Sequence, residues 1–115
     1  MSALTEQSVV TMAGAYIEAG YFADVEPEGF YLELGDSERY RIEMDCARFL
    51  VLAGDMVSHA ELQQAGHDFY FTRNGHGVGF WDGHLDGSWE GRETQLTVIA
   101  ELFGTDDTFT LWGES

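Results

Sequence analysis

HDFYFTRNGHGVGFWDGH, residues 67–84, is the stretch whose reading decides the fold. Two alternating apolar runs flank Asn74-Gly75, the strongest short-range hairpin signal. A two-residue turn there sets Phe69 opposite Phe80, Phe71 opposite Val78, Tyr70 opposite Gly79 and Asp68 opposite Trp81. Alternation places Phe69, Phe71, Val78 and Phe80 on one face. On the other, Tyr70 and Trp81 lie over the bare backbone of Gly77 and Gly79. That register predicts an α+β fold. A small, mainly antiparallel sheet, made of a hairpin over 67–82 and a C-terminal strand, packs against three or four helices.

Outward from the hairpin, helical spacing takes over. Thr5 can cap a first helix over residues 5–20, with Val9, Met12, Ala13, Tyr16 and Ile17 on one face and Gly20 at its exit. Residues 24–38 are acidic and irregular, with Phe30–Leu34 as a short strand or an aromatic-anchored loop. A second helix runs from Asp36 or Ser37 to Gly54. Its broad apolar set (Tyr40, Met44, Cys46, Ala47, Phe49, Leu50, Val51, Ala53) predicts the most buried helix of the chain. Arg39–Glu43 and Arg41–Asp45 stand at (i, i+4) spacing along it. Ser58 and Glu61 form a capping box for a third helix that Gly66 ends. After a glycine-rich turn, a fourth helix carries Leu96, Ile99, Ala100 and Phe103 to Gly104, and residues 107–112 alternate like a last strand. No repeat or linker divides the 115 residues, which predicts a single domain over 1–115.

Charge narrows the function classes. Twenty-one acids face five basic residues, all arginine, for a net charge of -16. Such a chain is repelled by nucleic acid and by anionic membranes, so direct binding to either is excluded and a basic partner is favoured. Dilution limits imitation of nucleic acid. A globule of this mass exposes roughly 390 Å² per net charge, against about 110 Å² for duplex DNA. Only clustered acids would serve, and the acids do cluster in sequence: residues 18–45 hold nine against two arginines, and residues 82–107 hold seven against one. The candidate partner-binding acids are Glu26, Glu28, Glu33, Asp36, Asp86, Glu90, Asp106 and Asp107. Tyr70 and Trp81, with Arg73 and His76 at the rim, form a candidate aromatic contact.

Neither catalysis nor a metal is expected. His67, Asp68, Asp82 and His84 approach one another at the open end of the hairpin, but no CxxC or HExxH spacing supports a metal site. Cys46 falls on an apolar helix face, where a thiol is inert, and no nucleophile elbow, phosphate loop or dinucleotide fingerprint occurs. No cofactor is expected. The lone cysteine, the absence of an apolar run of spanning length and the start MSALTEQS predict a cytoplasmic protein.

The residues Asp45-Cys46-x-x-Phe49, Gly66-His67-Asp68-Phe69, Thr72-Arg73-Asn74-Gly75-His76-Gly77 and Gly79-Phe80-Trp81-Asp82 resemble small acidic proteins of unassigned function from bacteriophages and plasmids. The resemblance covers about residues 40–112. It implies a mobile genetic element in a bacterial cell. The resemblance brings no assigned activity, but small acidic proteins in that setting often look like inhibitors of nucleic-acid-binding host defence systems of the restriction or CRISPR kind, which is the function expected here. The alternative is an accessory module that assembles through the Tyr70/Trp81 surface.

Overall fold

The computed structural model describes residues 5–24, 34–75, 79–82, 89–106 and 108–109. Among them there is no strand. Four helices, α1 (Glu6–Asp24), α2 (Asp36–Ala53), α3 (Leu62–Arg73) and α4 (Glu93–Glu101), are joined by short 3-10 turns at Gly54–Met56, His59–Glu61 and Phe80–Asp82. The expected α+β fold is therefore corrected to all-α.

The hairpin fails for a physical reason that its own residues show. Over residues 67–73 alone, the sequence suits either period. Extended back to the Ser58/Glu61 cap, the apolar positions Leu62, Ala65, Gly66, Phe69 and Tyr70 fall on one helical face, and all are buried there. The capping contact forms as read: the Ser58 amide and hydroxyl both donate to Glu61 Oε1, at 3.0 and 3.1 Å. Asn74-Gly75 is then the helix exit. Gly75 takes φ 68° while Asn74 stays at φ -104°. A hairpin turn of the Asn-Gly type needs both positive, whereas a left-handed glycine after the last helical turn is the common C-terminal stop. The Asn74 amide group donates to the Tyr70 carbonyl at 3.0 Å, closing that turn.

Gly66 does not end a helix; it lets two helices touch. A Cβ there would lie 2.4 Å from the Met12 carbonyl oxygen and 2.8 Å from Ala15 Cβ on α1. The α1 face it meets is made of Met12, Ala15, Tyr16 and Ala19, small residues alternating with large ones. Gly20 is likewise interior to α1, pressed on the Phe109 ring. In the sequence both have the look of helix exits, because glycine is costly in a helix unless close approach repays it.

The helices share one apolar cluster. Its centre is an aromatic stack in which Phe49 lies on Phe69 (4.7 Å between centroids) and on Phe80 (5.4 Å). Tyr16, Phe103 and Trp89 close its sides. α3, not α2, runs through the middle. On α2 only Ile42, Cys46, Phe49, Leu50 and Ala53 are buried, and Tyr40, Val51 and Leu52 face outward. Thr108 and Phe109, the described residues of the expected last strand, are helical. The rest of 107–112 and most of Phe30–Leu34 lie outside the described residues.

Candidate protein-interaction surface

Three of the five arginines are engaged within the molecule. Arg73, the last residue of α3, is buried. Its Nη1 donates to Asp45 Oδ2 at 3.0 Å and to the Tyr16 hydroxyl at 3.2 Å; Nε and Nη2 donate to the carbonyls of Gly104 (2.8 Å) and Phe103 (3.1 Å). The guanidinium also lies over the Phe69 and Phe103 rings. Tyr16 in turn donates to Asp106 Oδ2 at 2.5 Å. Asp106 is completed by the Thr108 amide and hydroxyl, and Arg41 reaches both Thr108 and Asp106. Arg92 donates to Glu61 at 2.9 and 3.0 Å, and to the Met56 carbonyl.

These partners set the electrostatics. Burial alone would raise the Asp106 carboxyl; hydrogen bonds from Tyr16 and Thr108, with the Arg73 charge, outweigh it and hold the group below the usual carboxylate range. Glu61 is lowered chiefly by Arg92. Burial would lower Arg73, yet Tyr16, Asp45 and Asp106 keep it above its ordinary value. Burial pushes the Tyr16 and Tyr70 hydroxyls and the Cys46 thiol strongly upward. Cys46, fully buried, is a packing residue.

The expected partner-binding residues separate. Asp36, Glu90 and Trp81 are exposed. Tyr70 is fully buried, its hydroxyl donating to Asp24, and Asp106 is buried in the Arg73 network; neither presents a side chain to a partner. The aromatic contact of Tyr70 with Trp81 is thereby corrected: one ring is core and the other is half-exposed. Arg73 is no rim residue. Glu26, Glu28, Glu33, His76, Asp86 and Asp107 lie outside the described residues.

The hairpin geometry behind the metal reading is also gone. His67 lies on α3 and contacts Glu18 of α1 at 3.0 Å. Asp68 is buried, accepting from Trp89 Nε1 at 2.6 Å and from Gln64 at 3.0 Å. His84 and the Asp82 side chain lie outside the described residues. Among the described residues, no three metal-binding side chains gather.

One surface was missed. Between α2 and the turn that follows α4 lies an open groove of about 640 Å³, lined by Asp45, Ala47, Arg48, Val51, Leu52, Leu102 and Phe103. Val51 is 59 % exposed, Leu52 53 % and Leu102 71 %; Val98, one turn before Leu102, is 52 % exposed. A signal for it existed. Five apolar residues in a row, Phe49 to Ala53, wrap most of a helix turn and a half, so they cannot all face one core.

Comparison of the chain with protein-family models, curated proteins and solved structures finds no match. The resemblance to small acidic phage and plasmid proteins thus rests on its motif alone. In the fold, that motif is a packing device: Gly66 seats α3 on α1, Asp68 holds Trp89, Thr72 accepts from the Phe80 amide at 3.0 Å, and Asn74 accepts from the Asp106 amide at 2.7 Å. No helix among the described residues is long and apolar enough to cross a membrane.

Proposed function

We propose that the chain is a non-catalytic, acidic binding protein that inhibits a basic, nucleic-acid-binding protein of a host defence system by occupying its nucleic-acid surface. The observation that carries this reading is where the charges sit. Arg73, Arg41 and Arg92 are turned onto Asp45, Asp106 and Glu61, while Glu6, Glu18, Asp36, Glu90 and Glu101 are exposed. Pairing neutralises three bases, Arg73 in the core and Arg41 and Arg92 at the surface, so the exposed acids outnumber the remaining bases, Arg39 and Arg48, on a chain of net charge -16. Charge complementarity of this kind speeds association and selects a basic partner. The setting, a mobile genetic element inside a bacterium, comes from the resemblance. Of the two acidic blocks, Asp24, Asp45 and Asp106 drop out as contacts because Tyr70, Arg73 and Tyr16 occupy them, and Glu18, Asp36, Glu90 and Glu101 are exposed.

The test is a pull-down from host lysate with the full chain at low and at high salt. A basic nucleic-acid-binding protein recovered at low salt only, and lost with Asp36→Lys/Glu90→Lys or Glu26→Lys/Glu28→Lys, is the expected result, because exposed charge pairing is screened within about 8 Å at physiological ionic strength. A partner indifferent to salt and to both double reversals overturns the reading.

A further inference from the structure

Asn74 is the only asparagine of the chain, and a glycine follows it. That pair carries a reaction of its own. The Gly75 backbone nitrogen attacks the side-chain carbonyl carbon of Asn74 and gives up its proton to solvent. The new N–C bond closes a five-membered succinimide, and the Asn74 side-chain nitrogen departs as ammonia. Water then opens the ring at either carbonyl, leaving aspartate or isoaspartate at position 74. Glycine hinders the attack least, because it has no side chain beside the nucleophile. The approach is open here as well: Gly75 is exposed, and nothing lies within 4 Å of where its Cβ would be.

The fold holds the reaction back. Asn74 Nδ2 donates to the Tyr70 carbonyl at 3.0 Å, Asn74 Oδ1 accepts from the Asp106 amide at 2.7 Å, and the Gly75 amide is turned onto the Thr72 carbonyl at 3.4 Å. Ring closure needs the side-chain carbonyl to swing back over the Gly75 nitrogen, so these bonds must break first. The shortest of them depends on distant residues. The chain after α4 is pinned over Asn74 by Arg73 on the Phe103 and Gly104 carbonyls, by Tyr16 and Arg41 on the Asp106 carboxylate, and by the Phe109 ring against Tyr70. We propose that Asn74 is a deamidation site, shielded while residues 103–106 are latched onto the end of α3 and reactive when that latch opens, and that its product loosens the latch. A carboxylate at position 74 has no N–H for the Tyr70 carbonyl. It also sets a negative charge at the C-terminus of α3, where the helix dipole disfavours it. Isoaspartate further lengthens the backbone by one carbon at the helix exit.

The test reads ammonia loss in the full chain as a mass gain of one dalton, located at residue 74 by peptide mapping, at mildly alkaline pH. The folded parent should react at least about tenfold more slowly than the same chain in guanidinium chloride, since the rate tracks the fraction of molecules locally open. Asp106→Ala removes the carboxylate that Tyr16 and Arg41 hold, and should raise the folded rate about fivefold. Tyr16→Phe keeps the ring and deletes one of those bonds; it should raise the rate in smaller measure, and it decides the matter if Asp106→Ala does not fold. Asn74→Asp, the product made directly, should exchange the amide hydrogens of residues 103–106 about fivefold faster than the parent with its helical circular dichroism retained. Equal rates in the folded and unfolded chain overturn the proposal. So do folded latch variants that react like the parent, an Asn74→Asp chain with parental exchange at those amides, or a mass gain that persists in Asn74→Ser.

Discussion

Arg73 and Gly66 are the two residues on which the packing of α3 turns. Arg73 is a buried cation satisfied by Asp45, Tyr16 and two backbone carbonyls. Removing it leaves the Asp45 carboxylate without its cation and the Phe103 and Gly104 carbonyls without their donor. Arg73→Met should therefore cost about 3–5 kcal/mol in urea unfolding. Arg73→Lys should recover little of that, because an ammonium cannot reproduce a planar, forked set of donors. A lysine variant as stable as the parent would contradict the network. At Gly66 two effects oppose each other. Alanine is the better helix former by about 1 kcal/mol, but its Cβ would sit 2.4 Å from a backbone oxygen of α1. Backbone cannot yield as a flexible side chain does, so Gly66→Ala should destabilise by about 1–3 kcal/mol. A gain in stability would restore the reading of Gly66 as a mere helix stop.

At the scale of the element, α3 shows how one signal serves two structures. Asn-Gly marks a chain reversal because glycine accepts positive φ, and both a hairpin turn and a helix exit use that freedom. Gly75 has φ 68° with open space where a Cβ would be, so Gly75→Ala should cost about 1 kcal/mol, for conformational reasons alone. Carbon chemical shifts over residues 67–73 should be helical in the parent and remain so in the variant; extended shifts there would return the hairpin. The other helices were legible because their signals were redundant. Thr5 accepts from the Ser8 amide at 3.0 Å as a cap, Gly54 ends α2 at φ 57°, and Gly104 follows α4 at φ 70°. The groove was half legible: the run Phe49–Ala53 guarantees an outward apolar face, but not that Leu102 and Phe103 stand beside it.

For the whole molecule, acid and salt should act in opposite directions. A carboxylate held low in the fold contributes stability above its unfolded-chain value, and that contribution is lost as pH falls through the lower, folded value. Asp106 and Glu61 both behave so, so stability should decline below about pH 4, near the unfolded carboxylate range. Asp106→Asn should lower stability at pH 7 by about 1–3 kcal/mol and flatten the acid limb; an unchanged acid limb would assign the loss to other groups. At pH 7 self-repulsion of a net charge of -16 opposes folding. Raising sodium chloride from low to physiological concentration should therefore raise the thermal midpoint, and a falling midpoint would show that internal ion pairs outweigh repulsion.

Composition, caps and helical periodicity belong to short stretches of chain, and the sequence by itself determined them: the extent of α2, the Ser58/Glu61 start, the stop at Gly104, the acidic excess and the core identities of Phe49, Phe69 and Phe80. What a glycine or a polar residue does depends on what arrives from far along the chain. Gly66 is a contact because α1 lies against it, Gly20 because Phe109 does, and Arg73 is interior because Tyr16, Asp45 and Asp106 converge on it from three separate segments. Local energies of a strand and a helix over residues 67–73 differ by little, and burial of one helical face against α1 decides between them.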